Sequence, residues 1–162
     1  MITHARHGTH WVLLSFLLAL VLTVLPLPSL LNQARPAFVL LTLIYWVLAL
    51  PHRYGIFSAF AIGLALDVIT GKMLGLHALL LSLLAYICIK QYSRVRMFTR
   101  PMQAAFVLLL VGLSLLLQLW IENAVRPVSI RASYWWPALT SGLFWFVWFP
   151  FLRHWRRRLQ IS

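Results

Sequence analysis

Long apolar runs, separated by short polar connections, dominate this chain. Six such runs can be marked, at residues 11–31, 35–52, 55–71, 74–90, 102–121 and 135–153. A helix that crosses the hydrocarbon core of a bilayer needs about 20 mostly apolar residues. The sequence therefore predicts one integral membrane domain over residues 1–162, an all-α bundle of six transmembrane helices with no room for a separate soluble domain.

Composition supports this interpretation, since 62% of the residues are hydrophobic and only 10% are charged, against about a quarter charged in soluble domains. The second, third and fourth runs have strictly apolar cores of only about 15 residues, which is short for a crossing. Five crossings therefore stay open as an alternative.

The chain carries 14 Lys and Arg residues against two acids, a formal net charge of +12. With six crossings, ten cations fall on the side of both termini: Arg6, Arg53, Lys90, Arg94, Arg96, Arg100, Arg153, Arg156, Arg157 and Arg158. Four fall on the other side: Arg35, Lys72, Arg126 and Arg131. Short loops rich in Lys and Arg stay in the cytoplasm, so we expect both termini to be cytoplasmic. This distribution explains the basic charge without nucleic-acid binding. The cytoplasmic basic clusters can also bind anionic lipids; they are Lys90, Arg94, Arg96 and Arg100 in the fourth connection, and Arg153, Arg156, Arg157 and Arg158 in the tail.

Small residues recur every four positions in the third run, at Gly55, Ala59, Gly63, Asp67 and Gly71, and Gly75 continues the series. Small side chains let two helix backbones approach closely inside a membrane. We therefore expect Gly55, Ala59 and Gly63 to form a helix-packing surface.

Asp67 lies within this series, and a carboxylate in hydrocarbon is costly unless it is paired or faces the bundle interior. We expect a structural ion pair with Arg35. A proton or cation site and a partner-binding or switch role remain the alternatives. Glu122 precedes Arg126 by four residues, a spacing that favours an ion pair if the helix continues.

Residues that could carry catalysis are sparse. Cys88 is the single cysteine, so neither an internal disulfide nor a thiolate cluster can form. His4, His7 and His10 have no carboxylate or cysteine beside them, so a position at the membrane surface is favoured over a metal site. We predict no catalytic residue, no cofactor and no metal site, and hence no enzyme.

One stretch has a recognisable pattern: Arg35-Pro36-Ala-Phe-Val-Leu-Leu, Tyr45-Trp46, Leu50-Pro51-His52-Arg53, Gly63-Leu-Ala-Leu-Asp67, Gly71 and Leu74-Gly75. The pattern resembles the MreD family of rod shape-determining proteins of the bacterial inner membrane. The resemblance implies a non-enzymatic adaptor of the peptidoglycan elongation complex, needed to form and maintain rod cell shape. It also implies a fold similar to the substrate-binding subunits of energy-coupling vitamin transporters.

The partners that the resemblance implies are MreC, the MreB filament, and a SEDS glycosyltransferase with its class B penicillin-binding transpeptidase. The residues it singles out, as partner-binding or structural, are Arg35, Pro36, Pro51, His52, Arg53, Gly63, Asp67, Gly71 and Gly75. The alternative function is a small-molecule binding subunit of a membrane transporter. That role needs polar side chains that converge on one cavity, whereas the polar residues of these runs are scattered along the sequence.

Overall fold

The computed structural model describes residues 8–127, 129 and 131–158, and all regular structure in these residues is helical. The helices are α1 (Thr9–Val24), α2 (Ser29–Gln33), α3 (Phe38–Ala49), α4 (Ile56–Thr70), α5 (Leu76–Val95), α6 (Arg100–Val125) and α7 (Trp136–Arg158). A 3-10 turn, Ala132–Trp135, leads into α7. The predicted all-α fold of six long helices is confirmed, with the five-residue α2 in addition.

The first apolar run is not one helix. We expected it to cover residues 11–31, but α1 ends at Val24 and the chain turns through Pro26 and Pro28 before α2 begins. Proline lacks an N–H group and disfavours helical backbone at the residue before it. The two prolines therefore divide the run into a helix, a turn and a short second helix.

Three other helices continue past their apolar runs. Helices α5, α6 and α7 continue to Val95, Val125 and Arg158, beyond residues 90, 121 and 153, where the predicted membrane spans end. Lysine and arginine are good helix formers, and their long side chains can carry the charge toward the membrane surface. A basic flank alone therefore does not end a helix.

By length and composition, three helical stretches could cross a membrane: Ser29–Ala49, which joins α2 and α3, then α5, and then α6. Helices α1 and α4 are apolar but shorter. Helix α7 has 23 residues, but its prolines, tryptophans and arginines lower its mean hydropathy. The structure is that of an all-α membrane protein, while the number of crossings stays a prediction.

Helix α3 forms the centre of the bundle, and ten of its 12 residues are buried. Polar contacts fix it to its neighbours: the Trp46 indole N–H donates to Ser15 Oγ of α1 at 2.9 Å. The Trp148 indole N–H of α7 donates to Thr42 Oγ1 of α3 at 3.1 Å. Both bonds satisfy polar groups in a buried environment, where an unpaired donor is costly. Several polar residues of the apolar runs thus serve packing.

Both described ends of the chain lie at the same end of the bundle. The rings of Trp11, in the first turn of α1, and Trp155, near the end of α7, meet edge to face with centroids 6.4 Å apart. We call this the termini end. The opposite, far end contains α2, the α4–α5 junction and the α6–α7 connection.

Candidate functional site at the far end of the bundle

The α4–α5 junction depends on two glycines in the left-handed region. Gly71 ends α4 with φ 65°, and Gly75 precedes α5 with φ 95°. Residues with a Cβ atom rarely adopt this conformation. The two glycines reverse the chain within Lys72-Met73-Leu74, so that α5 packs back along α4.

Asp67 caps the beginning of α5 from the preceding helix. Its Oδ2 accepts the N–H of Gly75 at 2.8 Å and that of Ala78 at 3.4 Å, and its Oδ1 accepts the N–H of His77 at 3.0 Å. The first N–H groups of a helix have no partner within the helix and attract negative charge. Because Gly75 has no side chain to cap α5, Asp67 supplies the missing acceptor.

The His77 ring completes the coordination of this carboxylate. His77 Nδ1 lies 2.7 Å from Asp67 Oδ1, and Asp67 is only 1% exposed. An ionised carboxylate only accepts hydrogen bonds, so we assign the proton to Nδ1. The Asp67–Arg35 ion pair that the sequence predicted is therefore wrong. Four donors from the α5 terminus take the place that we assigned to arginine.

The small residues of α4 pack against α5 within the same chain. A Cβ atom added at Gly63 would lie 2.4 Å from Ala78 Cα, 2.5 Å from Ala78 N and 2.6 Å from His77 O. Ala59 is fully buried, whereas Gly55 is looser, with Ile89 Cδ1 at 4.0 Å as the nearest atom to an added Cβ. The close approach at Gly63, one turn before Asp67, brings the carboxylate to the α5 terminus.

Arg35 also caps a helix end. Its two terminal nitrogens, Nη1 and Nη2, donate to the carbonyl oxygens of Thr23 and Leu25 at the end of α1. Cations stabilise helix C-termini, where carbonyl groups lack partners. The Nε of Arg35 is buried and has no hydrogen-bond partner. Pro36 follows and starts the turn into α3, where the Phe38 N–H donates to its carbonyl at 2.9 Å.

Glu122, the second acid, joins α6 to the α4–α5 junction. Its Oε1 lies 3.1 Å from Lys72 Nζ and accepts the Gln118 side-chain amide at 2.8 Å. The condition for an ion pair with Arg126, a helix that continues, is not met, because α6 ends at Val125 and Arg126 is extended, with φ −146° and ψ 135°. The spacing of four residues needed a helix that continues.

These elements surround a cavity of about 470 Å³. Its polar wall is formed by Arg35, Lys72, His77, Ser114 and Gln118, with Thr23, Asn32 and Thr70. Its apolar wall comes mainly from α3, α5 and α6. Ser114 and Gln118, which look scattered in the sequence, lie here beside cations from distant parts of the chain.

The remaining predicted residues lie at the termini end. Pro51, His52 and Arg53 form the α3–α4 turn, which is closed by the N–H of Arg53 donating to Leu50 O at 3.1 Å. His52 and Arg53 are exposed, and the turn lies outside the far-end cavity.

The basic clusters also lie at the termini end. Lys90 lies over the Tyr86 ring at 5.0 Å, and Arg100 over the Phe149 ring at 5.4 Å. A separate cleft of about 180 Å³ is lined by Arg96, Arg153 and Arg156, among others. The other members of the clusters, Arg94, Arg157 and Arg158, are exposed. The far-end cavity is therefore distinct from the basic surface that the charge count emphasised.

Two structural roles at the far end escaped the sequence analysis. His77 as the partner of Asp67 was signalled only by its place two residues after Gly75, at the start of α5. Gln118 was signalled by its spacing of four residues from Glu122. No group of three metal-ligating side chains forms among the residues that the structure describes, and His4 and His7 lie outside them.

Comparison with known proteins identifies the family. The chain matches the family model described as rod shape-determining protein MreD over residues 5–155. The rod shape-determining protein MreD of Haemophilus influenzae is 35% identical over 146 residues, which cover 90% of this chain and 90% of that protein. No solved structure matches, so the likeness to vitamin-transporter subunits stays a prediction. A membrane bundle of this kind, matched over nearly its whole length, belongs to the MreD family of rod shape-determining proteins.

Proposed function

We propose that this protein is a non-enzymatic membrane adaptor of the peptidoglycan elongation complex, which holds wall-synthesis proteins together and so maintains rod cell shape. The observation that carries the proposal is the family match over residues 5–155. That family, like the Haemophilus influenzae relative, is described as rod shape-determining.

The use of the two carboxylates supports an adaptor more than an enzyme. Acid–base catalysis needs a titratable group that can reach a substrate. Asp67 is buried and accepts four hydrogen bonds at the start of α5, and Glu122 contacts Lys72 and Gln118. Both acids of the chain are thus engaged in joining helices.

The charge distribution supports a position in the inner membrane with the termini end in the cytoplasm. Nine described cations lie toward the termini end: Arg53, Lys90, Arg94, Arg96, Arg100, Arg153, Arg156, Arg157 and Arg158. Four lie toward the far end: Arg35, Lys72, Arg126 and Arg131. Under the positive-inside rule this asymmetry favours six crossings and two cytoplasmic termini.

In this arrangement MreC is the direct partner, and the SEDS glycosyltransferase and the class B penicillin-binding transpeptidase belong to the same complex. The exposed arginines of the termini end face the MreB filament and anionic lipids of the inner leaflet, each cation near such a surface contributing about 1 kcal/mol. The face of α4 that contains Gly63 is occupied by α5, so partner helices must use other faces of the bundle.

Co-purification tests the proposal. A tagged chain, expressed from its own locus and extracted in a mild detergent, should enrich endogenous MreC and the two wall synthases over an equally abundant multi-pass protein. Arg156, Arg157 and Arg158 changed together to Gln serve as a variant that should keep MreC and weaken only contacts in the cytoplasm. No enrichment of MreC or of either synthase would reject the adaptor role.

A further inference from the structure

The far-end cavity combines features of a ligand site. Its volume of about 470 Å³ is within the usual range of about 300 to 1,000 Å³ for small-molecule sites. Such sites are mostly apolar with a few polar groups that orient the ligand. This cavity has the same division, with cations and amides on one wall and side chains such as Phe38, Leu80 and Val111 on the other.

The charges of the wall select the ligand. The charged side chains that line the cavity in the described part of the chain are Arg35 and Lys72, both cations. Glu122 partly neutralises Lys72 from outside the cavity wall. The hydrogen bonds of Arg35 in the described part of the chain go to backbone carbonyls, so no carboxylate offsets its charge there. A charge of this kind in a half-buried place favours an anion.

Arg35 also has a donor to spare. Its Nη1 and Nη2 are used at the end of α1, while its Nε is buried and without a partner. A buried donor without an acceptor is costly. Because Nε is closed to a water-sized molecule in this structure, an acidic group in the cavity would become its acceptor once the Arg35 side chain turns toward the ligand. Since the same guanidinium caps α1, a ligand bound here would join α1 to α3, α5 and α6.

We propose that the far-end cavity binds an anionic amphiphile, whose phosphate or carboxylate group lies against Arg35 and whose apolar part fills the space between α3, α5 and α6. Two sources offer this chemistry, an anionic phospholipid of the bilayer and a free amphiphile such as a fatty acid. The site does not depend on the partners proposed above, because binding is a property of the purified chain.

The test is native mass spectrometry, with melting temperatures measured in parallel, on the full chain in a neutral maltoside detergent. The probes are phosphatidylglycerol, oleate and monoolein, an uncharged lipid without a phosphate or carboxylate group. Phosphatidylglycerol, oleate or both should bind as one molecule per chain, about tenfold tighter than monoolein, as expected from one charge-assisted hydrogen bond. Binding of phosphatidylglycerol alone identifies a bilayer lipid, and binding of oleate alone identifies a free amphiphile.

Variants locate the site. Ser114→Phe fills the cavity and costs only the local bond from Ser114 Oγ to Val111 O, so it should weaken binding about tenfold without loss of folding. Arg35→Gln should weaken binding similarly. If Arg35→Gln fails to fold, the affinity of Ser114→Phe for the lipids tests the position of the site. Arg131→Gln is the control, since Arg131 is an exposed far-end cation outside the cavity wall. Equal affinity for the three lipids, or binding unchanged by Ser114→Phe, overturns the proposal.

Discussion

Replacing Gly63 by alanine should separate α4 from α5. The added Cβ would lie 2.4 Å from Ala78 Cα, which is about 1 Å inside ordinary van der Waals contact. The atoms it meets are backbone, Ala78 Cα and N and His77 O, so rotation of a side chain cannot relieve the clash. The two helices must move apart at the turn next to Asp67.

The magnitude follows from two opposed effects. Overpacking of this kind costs about 1 to 3 kcal/mol, and the same displacement lengthens the bonds from His77 N and Ala78 N to Asp67, at 3.0 and 3.4 Å. Alanine in a helix gains about 1 kcal/mol over glycine. We expect a net loss of about 2 kcal/mol in the free energy of unfolding.

A matched glycine supplies the control. Gly112 lies inside α6, and an added Cβ there would meet nothing within 4 Å. Gly112→Ala should therefore keep the gain in helix propensity, up to about 1 kcal/mol, so that the two variants differ by about 3 kcal/mol. Ala78→Gly should not rescue Gly63→Ala, because the clash is with the backbone of residue 78.

The assay is reversible unfolding by dodecyl sulfate in mixed micelles, followed by the fluorescence of the eight tryptophans. Gly63→Ala should unfold at a lower detergent fraction than wild type, and Gly112→Ala at an equal or higher one. Equal stability of the two alanine variants would refute the close α4–α5 approach and, with it, the position of Asp67.

Three further changes test the far end. Asp67→Asn should lower the free energy of unfolding by about 2 to 3 kcal/mol, because an amide presents one acceptor oxygen to four donors; unfolding within 0.5 kcal/mol of wild type contradicts the capping role. Gly71→Ala should cost about 1 to 2 kcal/mol through its φ of 65° alone, since no atom meets the added Cβ, and Gly71→Asn less; an equal effect of the two substitutions argues against backbone strain. Tyr134→Phe removes the bond from the Tyr134 hydroxyl to Leu115 O at 2.9 Å, about 1 kcal/mol. Burial, and then the charge of Glu122, raise the pKa of that hydroxyl to about 12. Thermal denaturation should therefore show a lower melting temperature for Tyr134→Phe than for wild type below about pH 10, and this difference should disappear as the pH rises through 12. A constant difference in melting temperature above pH 10 contradicts this assignment.

The sequence contained enough information to predict the helices. Apolar runs mark the helices because each must present a continuous apolar surface to lipid or core. The ends are harder, since α1 stops at its prolines and α5 continues through Lys90 to Val95. In both places local backbone chemistry outweighs the hydropathy pattern.

The partner of Asp67 could not be predicted from charge. A buried carboxylate suggests a cation, but the backbone N–H groups at the start of α5 serve the same purpose. Their position follows only once Gly75 is known to begin the helix without a capping side chain. Arg35 is the converse case. The prolines after α1 end that helix and leave carbonyl groups without partners, which the cation can cap.

The cavity depends on contacts that have no local signal. Arg35, His77 and Ser114 are far apart in the sequence and meet only through the packing of α3, α5 and α6. Sequence patterns report periodicity within one helix. They contain no comparable information on which faces of separate helices enclose a space.

Cell shape after depletion is the most direct test of the central claim that this chain maintains rod shape as part of a membrane assembly. In its native host, depletion should change rod-shaped cells into rounded ones, measured as the ratio of cell length to width. Re-expression of the wild-type chain or of Gly112→Ala should restore rods, whereas Gly63→Ala should restore them poorly. Cells that stay rod-shaped throughout depletion, with the chain absent by immunoblot, would contradict the account.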